Sequence, residues 1–129
     1  MKESIQKFFA EKGWEMKTMG MPQFEWTFDH PIDSFVAYSK GGWLRMEATS
    51  YKDKNWEIHH HFYISTFCEG KASGGDGEGE TIEEAYNNCV SSLVARVNET
   101  EEFLKLCKRT LAKIEEMEQK NKPTPGEQQ

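Results

Sequence analysis

The run Glu57-Ile58-His59-His60-His61 is the densest group of side chains in this 129-residue chain able to bind a metal or move a proton. Side chains alternate between faces along a strand, so His59 and His61 project together with Glu57 beside them. A His-x-His pair with a carboxylate offers three donors, the number an open zinc site needs. Glu57, His59 and His61 are therefore the expected metal set if the chain is a metal-dependent enzyme. The plainer alternative is a polar strand face in water with His60 packed among aromatics, which needs no ion. The plainer alternative is preferred, and no catalytic residue and no cofactor is expected.

Other chemistry-bearing groups fare no better. Cys68, Cys89 and Cys107 are odd in number and lack C-x-x-C spacing, which suits free thiols and a cytoplasmic chain. A nucleophilic thiolate requires a neighbouring base, and the sequence places none beside them. The glycine-rich run Gly74-Gly75-Asp76-Gly77-Glu78-Gly79 resembles a phosphate cradle in composition, but Asp76, Glu78, Glu80, Glu83 and Glu84 would repel an anion there. The expectation for residues 70–79 is a mobile strand-to-helix connection. Trp43, Arg45 and Trp56 form a candidate partner-binding set, able to stack on single-stranded bases. A formal net charge of -6 opposes general phosphate-backbone affinity, so direct nucleic-acid binding ranks as an alternative rather than the first choice.

The elements that must position these residues follow from periodicity. Ile5, Phe8 and Phe9 lie at helical spacing behind Ser4 as N-cap, with Gly13 placed to end a short first helix. Phe24, Trp26 and Phe28 alternate with polar residues as a half-buried strand does, before Pro31 interrupts the pattern. Phe35–Tyr38 and Trp43–Ala48 flank Gly41-Gly42 as a hairpin. Residues 56–67 alternate most clearly, with Trp56, Ile58, His60, Phe62 and Ile64 on one face.

Thr81 with Glu84 is a capping-box signature for a final helix. Val90, Val97, Leu104 and Leu111 repeat every seven residues, and Tyr86, Leu93, Thr100, Cys107 and Ile114 repeat in the complementary register. Both series cross Asn98, which favours one helix from about Thr81 to Glu118 over two broken there. The predicted fold is α+β: a short N-terminal helix, an antiparallel sheet of three to four strands, and a long C-terminal helix. It forms one domain over residues 1–119, and a polar tail over 120–129 carries Pro123 and Pro125 and is expected to be disordered. No apolar run reaches the length needed to cross a bilayer.

The stretch Gly77-Glu78-Gly79-Glu80-Thr81-Ile82-Glu83-Glu84-Ala85, following tryptophan-bearing strands, resembles small α/β/α sandwich domains of phage and prophage proteins over about residues 43–93. The same strand-Gly-Thr-helix pattern is similar to that of double-stranded RNA-binding domains and HicB-type antitoxins. The RNA-binding family grips phosphate with lysines at the helix start, where this chain has Glu83 and Glu84, so that function is not implied. The phage resemblance implies an accessory protein that obstructs a host enzyme, and it transfers no catalytic residue. The first expectation is thus a non-enzymatic binding protein that inhibits a basic or nucleic-acid-handling host protein. It would act as a homodimer joined through Leu104, Cys107, Leu111 and Ile114.

Overall fold

The computed structural model describes residues 2–19, 28 and 30–121, the side chain of residue 121 excepted. The element order is α1 (Lys2–Glu11), β1 (Met16–Met19), β2 (His30–Ser39), β3 (Leu44–Lys52), β4 (Ile58–Cys68), β5 (Lys71–Gly79) and α2 (Ile82–Asn121). The α+β class stands, with five strands where three to four were expected. The chain divides into two compact units, Met1–Arg96 and Val97–Gln129. Among the described residues no helix is long and apolar enough to cross a membrane.

The five strands form an antiparallel meander in chain order. In α1, Ile5 and Phe9 are buried one turn apart. The helix starts at Lys2, so Ser4 lies inside it rather than capping it. Its end is as expected: Gly13 has φ +90°, and the N–H groups of Trp14 and Gly13 donate to the carbonyls of Phe9 and Ala10, the double bond of a Schellman motif.

Register separates the sheet into two faces. Phe35, Ala37, Leu44, Met46, Ala48, Phe62 and Ile64 share one core with Ile5, Phe9, Ala85 and Cys89. The pairings Ala37 with Met46 and Met46 with Ile64 place this apolar set on consecutive strands. Tyr86 ties the helices together: its ring meets Phe8 and Phe9 edge-on at 5.6 and 6.0 Å, and its hydroxyl accepts from Trp14 Nε1 at 3.1 Å. The opposite face carries Val36, Glu47 and Thr49, also buried, with Tyr51, His59 and His61 further along.

The glycine-rich run is strand β5, which corrects the expectation of a mobile connection. Glu69 and Gly70 both have positive φ, as the two-residue turn of a hairpin requires. The composition then makes sense from what lies on the strand. A Cβ on Gly77 would sit 2.2 Å from the Ala85 carbonyl and the Cys89 nitrogen, and one on Gly75 would sit 2.3 Å from Leu93. Only a strand without side chains on the facing positions lets the α2 backbone come this close. At the bulge between Ser65 and Phe67, the buried Thr66 hydroxyl donates to the Gly75 carbonyl and accepts from the Gly75 N–H, replacing ladder bonds.

The same helix closes the free edge of β5. Asn88, Ser92 and Arg96, each four residues apart, donate to the carbonyls of Glu78, Asp76 and Gly74 at 2.9, 2.9 and 3.1 Å. Unpaired strand carbonyls invite another strand, and here every second one is taken. The helix begins as expected: the Glu84 N–H donates to Thr81 Oγ1 at 3.1 Å, while the Glu84 carboxylate reaches the Glu80 N–H. It continues through Asn98 without a break to Asn121. The strand predicted at Phe24 to Phe28 lies outside the described residues except for Phe28, as does the tail from residue 122.

Candidate functional site

The β3–β4 hairpin and the face behind it gather most of the polar chemistry. The turn is organised by Asp53, whose Oδ1 accepts the N–H groups of Asn55 and Glu57 at 2.8 and 3.0 Å. Its other oxygen lies 2.6 Å from His59 Nε2. The hydrogen bond to His59, followed by that from the Glu57 backbone, holds the Asp53 carboxyl below its ordinary 3.8. Trp56 completes the turn at φ +62°, a left-handed conformation that side chains other than glycine adopt at some cost. Its ring stacks on His30 at 4.8 Å, with Lys52 Nζ 5.6 Å away, and 66% of the residue is exposed.

From His59 a layer of rings crosses the sheet. His59 stacks on Tyr51 at 5.5 Å, Tyr51 on Phe28 at 4.4 Å, and Phe28 meets His61 at 5.4 Å. His61 Nε2 lies 3.1 Å from a Glu78 carboxylate oxygen. The two histidines share a face, as alternation dictates, but each is engaged by a different carboxylate. Donor atoms of Asp53, Glu57 and His59 lie within 4.8 Å of one another, and His61 is not in this group. The expected set of Glu57, His59 and His61 is therefore redistributed, and Asp53 is the residue that sequence reasoning missed. Its signal was present: an aspartate that opens a tight turn captures the N–H groups that follow it. Both Asp53 oxygens are already committed, one to the turn and one to His59, so a metal would have to displace an existing bond.

His60 points to the other face, where its Nδ1 lies 2.8 Å from Ser50 Oγ. Ser50 is buried, so this pair satisfies a polar group and presents no accessible nucleophile. Cys89 is buried too. Desolvation, with a smaller push from Asp76, raises its thiol to about 11, the opposite of activation.

Trp43, Arg45 and Trp56 do not converge. Trp43 precedes β3 and Trp56 follows it, so about 30 Å of strand separates them. Arg45 lies on the sheet face, paired with Glu47 and donating to the Tyr38 hydroxyl at 3.2 Å. Burial works against the Arg45 charge, and Tyr38 and Glu47 more than offset it, raising its pKa. Glu47 is itself buried, so the pair is held within the sheet.

The unit from Val97 onward has a different character. Along helix α2 it carries Val97, Phe103, Leu104, Leu106, Leu111, Ile114 and Met117, all between 46% and 67% exposed. Cys107 alone among the described side chains from Val97 on is less than exposed. Leu104, Cys107, Leu111 and Ile114 fall on the a and d positions of one heptad series, so they line a single seam. Exposed ion pairs such as Lys105 with Glu102 and Lys120 with Glu116 occupy the remaining surface. The chain is thus an α+β meander domain that continues into a long amphipathic helix. No family model matches it, and neither a curated protein nor a solved structure does.

Proposed function

We propose that this chain is a non-enzymatic binding protein that self-associates through the seam of helix α2 and engages a basic, nucleic-acid-handling protein. The observation that carries the proposal is the mainly apolar seam of residues 97–117, interrupted by Thr100, whose large side chains stand in solvent. A row of this kind costs free energy in water and is relieved by burial against a matching surface. The state of the reactive groups supports the non-enzymatic part. His59 and His61 are held by carboxylates, the Ser50–His60 pair on the core side is closed, and the buried Cys89 thiol is deactivated.

The acidic corner where β5 meets α2 supports the choice of partner. Asp76, Glu78, Glu80, Glu83 and Glu84 are all exposed there, a field that complements a positive nucleic-acid channel. Acting as a phage-type accessory protein that occupies such a channel accords with the resemblance of this corner to phage domains. Light scattering on the full chain at tens of micromolar tests self-association. A mass of twice the 15.0 kDa chain is expected, and a monomer would defeat the proposal. Competition with labelled DNA for a host nuclease tests the partner class. Glu80→Gln, Glu83→Gln and Glu84→Gln together should abolish competition, and undiminished competition would remove the acidic corner from the proposal.

A further inference from the structure

The proposed dimer leaves the direction of its helices open, and the charges beside the seam decide it. In a heptad frame with Val97, Leu104 and Leu111 at a, the d positions are Thr100, Cys107 and Ile114. The e positions are Glu101, Lys108 and Glu115, and the g positions are Phe103, Thr110 and Met117. Within residues 97–117 one flank of the seam is therefore charged with alternating sign and the other carries no charge, Arg96 occupying the g position just before it.

In a parallel pair each e residue faces a g residue of the other helix. Lys108 and Glu115 would then lie beside the uncharged Phe103 and Thr110, and Glu101 beside Arg96, whose Nε is already bonded to the Gly74 carbonyl. The parallel arrangement also sets like segments side by side. Glu99, Glu101 and Glu102 would lie beside themselves, as would Lys105, Lys108, Arg109 and Lys113.

In an antiparallel pair e faces e and g faces g. With the two-fold axis between Lys105 and Leu106, a residues meet d residues in six layers: Val97 with Ile114, Thr100 with Leu111 and Leu104 with Cys107, each occurring twice by symmetry. The same register sets Glu101 of one copy against Lys108 of the other, again twice. The uncharged g flank brings Phe103, 67% exposed in the single chain, against Thr110 of the second copy. The apolar seam and the charges agree on one register, which is the consistency expected of a specified interface.

Building on the dimer reading above, we infer that residues 97–117 of α2 pair antiparallel with a second copy of this chain, centred between Lys105 and Leu106. A spin-label distance separates the two directions. Gln119 lies outside the six layers, and Gln119→Cys can be labelled in a Cys68→Ser, Cys107→Ala background, since Cys89 is buried. At a 1.5 Å rise per residue, the antiparallel register puts the two labels about 40 Å apart, and a parallel pair puts them within about 20 Å.

The longer distance is expected. The shorter one overturns the direction while leaving the dimer intact, and a monomer in light scattering overturns both. Cys107→Ala trims the seam, so charge reversal in the otherwise native chain supplies an independent arm. Glu101→Lys should weaken dimerisation by about ten-fold, the scale of a close like-charge contact. Adding Lys108→Glu should restore it, because both pairs then reform with reversed sign. Failure of the double variant to recover would overturn the register.

Discussion

Helix α2 carries one heptad pattern along its length, yet its two stretches behave in opposite ways. Over Ile82–Arg96 the helix is fastened to β5: Ala85 and Cys89 are buried, and Asn88, Ser92 and Arg96 bond to strand carbonyls. Over Val97–Met117 the larger residues Leu104, Leu111 and Ile114 are about half exposed. Side-chain hydrophobicity does not explain the contrast, since the exposed stretch is the more apolar in its seam. The difference lies in what each stretch is offered. The first meets a strand whose helix-facing positions are the glycines Gly75, Gly77 and Gly79, while the described residues of the second unit contain no strand.

The sharpest way to break the comparison is to give the strand a side chain. Gly77→Val would drive a branched group into the Ala85 carbonyl and the Cys89 backbone, where no rotamer offers an escape. A loss of about 3 kcal/mol or more is expected in denaturant unfolding monitored by Trp fluorescence. A loss below about 1 kcal/mol would mean that the helix can lift from the strand freely. The next effect belongs to the other stretch. Leu111→Glu should leave unfolding of the strand-bearing unit within about 0.5 kcal/mol of the parent, as an exposed position permits. The same change should weaken self-association by about 2 kcal/mol or more. If it instead unfolds the sheet, Leu111 is part of the monomer core.

Smaller effects should follow from removing the edge caps. Asn88→Ala, Ser92→Ala or Arg96→Ala each deletes one bond to a β5 carbonyl, at an expected cost of about 1 kcal/mol. Combining them exposes a row of unpaired carbonyls, so the triple variant should aggregate faster on warming than any single variant. Equal aggregation rates, read by turbidity, would show that the caps do not guard the edge.

The sequence disclosed features set by local chemistry and hid those set by distant partners. Gly13 ending α1, Gly41-Gly42 turning the hairpin, the Thr81 cap and the uninterrupted α2 all follow from nearest neighbours, and the structure has each of them. Strand β5 is hidden in the sequence because its glycines look like flexibility until α2 is seen lying on them. Glu69-Gly70 was the available clue, a two-residue turn with both residues at positive φ. The histidine set was half legible. Alternation placed His59 and His61 on one face, but the pairing of β4 with β5 gives His61 to Glu78, and the hairpin turn gives His59 to Asp53. Neither partner can be chosen from spacing within β4 alone.

The finest test sets two thiols of one helix against each other. Cys89 belongs to the fastened stretch, buried and with its pKa pushed to about 11 from an ordinary 9.0. That rise alone reduces its reactive thiolate about 100-fold near neutral pH. Cys107 lies at a d position of the free stretch, so its protection should come from association rather than from the fold. With a thiol reagent, exposed Cys68 is expected to react first at any protein concentration. Cys107 should follow promptly in dilute solution and slow as concentration rises through the dimerisation range, whereas the slow rate of Cys89 should not depend on concentration. Mass spectrometry of the modified peptides reads all three. A Cys107 rate unchanged from nanomolar to tens of micromolar would show that no second copy covers the seam, and the two stretches would then differ only in what lies beneath the first.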